Sequence, residues 1–138
     1  MVDYAKPLPV PDTDTKAFWE GCHAHELRGQ RCTACGSFRW PPGPLCSICR
    51  SWDFEWVTLD GRGEVYSYVI VHHLVGQAFA SEIPYVVAQV TPDGTNGAVR
   101  LTTNIVGCAP ENVSVGMRVA VVWDDATDEI SLPKFGPA

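Results

Sequence analysis

The rhythm of apolar and polar residues changes twice along this chain. Residues 1–11 hold three prolines and no recurring apolar position, which predicts an extended arm. Over residues 14–27, "DTKAFWEGCHAHEL", Phe18, Cys22 and Leu27 recur on one side with Trp19 beside them, the spacing of a helix. Asp12 or Asp14 is placed to cap its start and Gly29 to stop it, while Gly21 weakens its middle. Residues 30–50 show no such period. "DFEWVTL", residues 53–59, alternates and predicts a strand.

From residue 63 onward alternation dominates. "GEVYSYVIVHHLV" sets Val65, Val69 and Val71 on one side and Tyr66, Tyr68 and Ile70 on the other. "PYVVAQVT", "AVRLTTNIVG", "MRVAVVW" and "EISLPKF" read as further strands. "PDGTNG" and "DDATDE" read as turns, and "CAPENVSVG" as a loop or short helix. Short strands at this spacing indicate a small barrel or sandwich. Residues 73–84, "HLVGQAFASEIP", form a longer loop of the kind that carries function.

The stretch without periodicity is where the chemistry lies. "RCTACGSFRWPPGPLCSICR", residues 31–50, holds two CxxC pairs. Each pair can place two thiolates on one cation, and together they offer the four corners of a structural metal site. Zinc fits this donor set, with iron the less favoured occupant. Four sulfur ligands leave no open position, so the centre is not expected to hydrolyse anything. A thioredoxin-type redox site would need a βαβ unit, which the pattern does not show. Cys22 and Cys108 read as buried thiols. No nucleophile–base pair and no phosphate loop is found, so no catalytic residue is assigned.

Charge refines this picture. The formal net charge of the 138 residues is -6. Residues 57–138 hold four Lys/Arg and nine Asp/Glu, a balance of -5, whereas residues 28–50 hold four arginines and no acid. Nucleic-acid affinity comes mostly from basic side chains, so a nucleic-acid-binding zinc ribbon and barrel is the minor alternative here. "RWPPGP", residues 39–44, predicts a stiff loop from which Arg39 and Trp40 project, Trp40 either packing on the cysteine knuckle or anchoring a partner. The N-terminal residues lack a signal-peptide pattern and no stretch is apolar enough to span a bilayer, so a cytoplasmic protein is expected, without membrane contact.

The succession "FWEG", "LRGQRCTACGSFRWPPGPLCSICR", "DGRGEVYSYVIVHH", "IPYVVAQV" and "VGMRVAVVW" resembles the DUF35 family, over about residues 13–124. The cysteine motif alone is shared with many ribbons. Joined to "PPG", "GRGEVYSY" and "PYVVAQV" it is far more specific. The resemblance implies a mainly β chain: an arm and helix over 1–29, a rubredoxin-like zinc ribbon over 30–56, and a small OB-fold barrel over 57–138. It sets Cys32, Cys35, Cys46 and Cys49 at the metal positions. It also implies a non-catalytic accessory subunit, in a hetero-oligomer with a thiolase-superfamily protein. There it would complete the acyl-CoA channel for thiolysis or retro-aldol C–C cleavage.

On that reading Arg39, Arg50, His72 and His73 are the candidates to contact CoA or substrate. Phe18, Trp19, Trp40 and Phe79 are the candidates for the partner interface. The aromatic and histidine content, richer than the family pattern, points towards a bulky steroid or aromatic acyl group.

Overall fold

Asp12 sets where the helix begins. Its Oδ1 accepts from the amides of Asp14 (3.0 Å) and Thr15 (2.9 Å), and its carbonyl accepts from Lys16 (2.8 Å). Helix α1 (Lys16–His23) starts from that turn. It stops early as well. The His25 amide donates to Cys22 O (2.9 Å) and the Glu26 amide to Gly21 O (2.8 Å), the paired bonds of a Schellman cap. The expectation of a helix running to residue 27 is thus shortened by a C-terminal cap built on His25. Gly21, a weak point by propensity, lies under the Arg28 side chain: a Cβ there would stand 2.6 Å from Arg28 Cδ, so any larger residue would have to push that side chain aside.

The computed structural model describes residues 4–138. After α1 come β1 (Arg28–Cys32), β2 (Phe38–Arg39), β3 (Phe54–Thr58), β4 (Arg62–Val71), β5 (Tyr85–Pro92), β6 (Leu101–Ile105), β7 (Arg118–Asp125) and β8 (Ser131–Pro137). Short 3₁₀ turns occupy Gln77–Phe79 and Pro110–Asn112. The chain is mainly β with one N-terminal helix. None of its described helices is long and apolar enough to cross a membrane.

The strands form two sheets. β1 lies between β2 and β3, antiparallel to both, and carries the cysteine unit. The other five close into a barrel in the order β4-β5-β6-β8-β7, with β7 returning to β4. All of its pairings are antiparallel except β6 with β8, which meet in parallel at Ile105 and Phe135. Counted within the barrel, this is the order one-two-three-five-four of an OB-fold.

β5 buries every second residue, as the alternation predicts. β4 does not, because a bulge between Val65 and Ser67 shifts its register. Val65 points into the core, and beyond the bulge Tyr68 and Ile70 pack against it while Val69 is 59% exposed. The side assignment read from alternation therefore inverts halfway along this strand. The barrel core is Val65, Val86, Val90, Leu101, Val119 and Phe135, and Phe18, Cys22 and Leu27 join it from the N-terminal segment.

Candidate functional site

The two CxxC turns are built alike. In the first, Cys32 donates to Ser37 O (2.8 Å) and accepts from the Gly36 amide (2.9 Å). In the second, Cys46 donates to Ser51 O (2.9 Å) and accepts from the Arg50 amide (2.9 Å). Gly36 and Arg50 occupy the same place in their turns, and both are left-handed, with φ of +78° and +63°. Glycine is the usual solution. Arg50 does the same job against the preference of its Cβ.

These turns bring the Sγ atoms of Cys32, Cys35, Cys46 and Cys49 within 4.8 Å of one another. Cys32 to Cys49 and Cys35 to Cys46 are each 3.6 Å. A disulfide would need about 2.0 Å. A tetrahedron with metal–sulfur bonds of about 2.3 Å has edges of about 3.8 Å, so the spacing fits one cation at the centre. The electrostatics agree. Amides of Cys49 and Ile48 aim at Cys46 and hold its thiol down at about 6. The Cys35 and Ala34 amides lower that of Cys32. The Ser51 amide pulls Cys49 the same way, but burial and its three sulfur neighbours push it up to about 12. Four thiolates cannot share this volume without a positive charge between them, and a metal ion supplies one. Cys22 lies apart, buried among apolar side chains, with burial pushing its thiol up to about 12.

Arg39 projects inward. It is 7% exposed, and its guanidinium donates to Gly43 O (2.8 Å) and Asp53 O (3.4 Å) over the ring of Phe54. Gln30, 2% exposed, pairs with the same Gly43 through both halves of its amide, at 2.9 Å each way. Together they tie the 41–44 loop to the ribbon sheet. Pattern reading missed Gln30, since a polar residue on a short strand carries no sign of being buried. Trp40 meets Phe18 edge-on at 5.0 Å, and Phe18 meets Trp19 at 5.1 Å. Phe18 itself is 3% exposed. Trp19, Trp40, Pro42, Leu101 and Lys134 line an open groove of about 360 Å³ between helix, loop and barrel.

The other candidate residues lie elsewhere. Arg50 is exposed on the second knuckle, close in sequence to the exposed apolar side chains of Ile48 and Trp52. His72 and His73 are exposed just past the end of β4. Phe79, on the loop that follows, stacks on Tyr85 at 5.8 Å. Arg39 joins Trp40, Ser37, Leu45 and Asn96 in lining a cleft of about 600 Å³ between ribbon and barrel.

Comparison with known proteins accounts for both halves. Residues 19–55 match the family model described as the ChsH2 rubredoxin-like zinc ribbon domain, and residues 56–124 that of the ChsH2 C-terminal OB-fold domain. The chain is 44% identical over 133 residues to a probable enoyl-CoA hydratase alpha subunit of Thermomonospora curvata, covering 96% of this chain and 40% of that protein. It thus spans about two fifths of that relative's length. A DUF35 domain-containing scaffold protein of Methanocaldococcus jannaschii is 40% identical over 98 residues, 70% of this chain and 67% of the other. Among solved structures, a chain of an Ltp2-ChsH2(DUF35) aldolase superposes with a TM-score of 0.84 at 42% identity, covering 94% of this chain and 98% of that one. With a four-cysteine ribbon joined to an OB-fold, and with these relatives, the chain belongs to the DUF35 family in its ChsH2-like form.

Proposed function

We propose that this chain is a non-catalytic accessory subunit of a thiolase-superfamily acyl-CoA enzyme, and that zinc holds its ribbon. The observation that carries the reading is the end-to-end match to the DUF35 chain of an aldolase complex, at 42% identity over 98% of that chain. In this reading the partner performs carbon–carbon cleavage beside a CoA thioester. The DUF35 chain presents the ribbon, the Trp19–Trp40 groove and the loop carrying Phe79. Arg50, His72 and His73 face the acyl-CoA side of the assembly, while Arg39 acts indirectly by holding the 41–44 loop.

Nucleic acid is a poorer fit. Residues 57–138 carry a charge of -5, whereas affinity for a phosphate backbone comes from basic side chains.

The test is reconstitution. The chain is mixed with a thiolase-like protein from the same cell and assayed for cleavage of β-hydroxyacyl-CoA thioesters. Cleavage by the mixture and by neither component alone is expected. Turnover by this chain alone, or no complex with any such protein, removes the proposal. Because the T. curvata relative carries a hydratase name, hydration of enoyl-CoA is measured in parallel. A signal there alone would reassign the partner's chemistry. Arg50→Gly, which suits the left-handed backbone, is expected to raise KM for acyl-CoA while leaving the complex intact.

A further inference from the structure

His25 holds a backbone conformation that glycine usually supplies. It follows the helix cap with φ of +59°, a left-handed conformation that L side chains disfavour. The imidazole is well used there. Its ring stacks on Trp123 at 5.4 Å, with the planes 3° apart, and Nε2 lies 2.7 Å from Asp125 Oδ1. Asp125 is itself oriented, because the Ser131 hydroxyl donates to the same Oδ1 at 2.5 Å. Ser131 and His25 also hold its carboxyl below the usual range, so it is ionised. His23 and Asp128 line the same surface cavity of about 270 Å³, together with Thr127, and no Lys or Arg does. Both are exposed, and neither makes a side-chain hydrogen bond among the described residues.

We propose that His25 and Asp125, joined by His23 and Asp128, form a second metal site, for a borderline divalent cation of the zinc or nickel type. Imidazole and carboxylate together are the donors such ions take. Neighbouring ligands on bonds of about 2.0–2.2 Å stand about 3.0–3.5 Å apart at octahedral or tetrahedral angles, so the His25–Asp125 pair must open by about 0.3–0.8 Å, and the imidazole turn in its own plane against Trp123, to admit an ion in place of the shared proton. Trp123 and Ser131 act as positioning residues, fixing the ring and the carboxylate before the ion arrives. His23 and Asp128 close in by side-chain rotation, which their exposure allows. The ion would clip the end of α1 to the β7–β8 hairpin, at a place independent of the four cysteines.

The experiment uses tag-free protein whose cysteine site has been saturated with zinc and freed of excess, titrated with Ni²⁺ by calorimetry. One further equivalent is expected. His25→Gly keeps the left-handed turn and removes the ligand, so uptake is lost while the circular dichroism of the fold stays. His23→Asn and Asp128→Asn each weaken binding at least about tenfold, and Ser131→Ala about tenfold. These variants decide the matter if the glycine variant fails to fold. No uptake by the unaltered protein overturns the proposal. So does unchanged binding in His25→Gly, or in both His23→Asn and Asp128→Asn where the glycine variant is unfolded. Loss that follows only a His72→Asn/His73→Asn double variant overturns it too.

Discussion

The ribbon and the barrel are stabilised by opposite kinds of interior. The barrel buries Val65, Val86, Val90, Val119 and Phe135, an apolar core of the usual sort. The ribbon's buried side chains are Gln30, Cys32, Arg39 and Cys46. None of these is a large aliphatic or aromatic group. A unit whose inside is sulfur and hydrogen bonds gains little from the hydrophobic effect, so its order depends on the cation those sulfurs hold. The difference teaches where each half is vulnerable: the barrel to lost volume, the ribbon to lost charge.

The sharpest break comes from the metal. Cys46→Ser, or a strong chelator, is expected to melt residues 28–58 while the barrel stays folded, since metal binding in such small sites supplies on the order of 10 kcal/mol. Amide NMR spectra read the two halves separately. Simultaneous loss of the barrel signals would show that the halves share one cooperative unit. Next in size is the mirror experiment. Phe135→Ala opens a cavity in the barrel and is expected to cost about 3–5 kcal/mol by denaturant titration, with metal content unchanged.

Two smaller changes probe the ribbon's polar interior. Gln30→Met removes the acceptor of the Gly43 amide and leaves that N–H unpaired, while Arg39 still donates to Gly43 O, at a cost of about 1–3 kcal/mol. Hydrogen exchange at the Gly43 amide should quicken most. Arg50→Gly is expected to stabilise by about 1 kcal/mol, by removing a side chain from a left-handed residue. Slower metal release to a chelator would register it, and faster release would mean that the guanidinium matters more than the backbone.

The same contrast explains what could be read from the sequence. Barrel strands follow alternation, so β5 was legible as a strand, and the CxxC spacing announced the cluster of four cysteines. Alternation failed at Tyr66, where one extra residue in β4 turns Val69 outward, because a bulge leaves no mark in a hydrophobicity pattern. It also failed for β1 and β2, whose side chains are ordered by hydrogen bonds and sulfur rather than by apolar burial. Arg39 showed its charge in the sequence but not its direction. An arginine beside two prolines looks presented to solvent until its two terminal nitrogens are seen to donate to the carbonyls of Gly43 and Asp53. His25 was hidden for another reason: a glycine at that position would have announced the helix end, and a histidine does not.

The closing strand of the barrel has a consequence in time. All three ribbon strands and all four cysteines precede residue 59, whereas β4 can finish its pairing only when β7 arrives, with Gly63 opposite Val119. A ribosome delivers the chain from its N-terminus, so the ribbon can capture its ion while the barrel is still a set of unpaired strands. Through that interval the buried face of α1, Phe18 and Cys22, has no barrel to cover it. The order of synthesis therefore leaves the nascent chain with a finished metal knuckle beside an uncovered apolar helix, and closing the barrel ends that exposure.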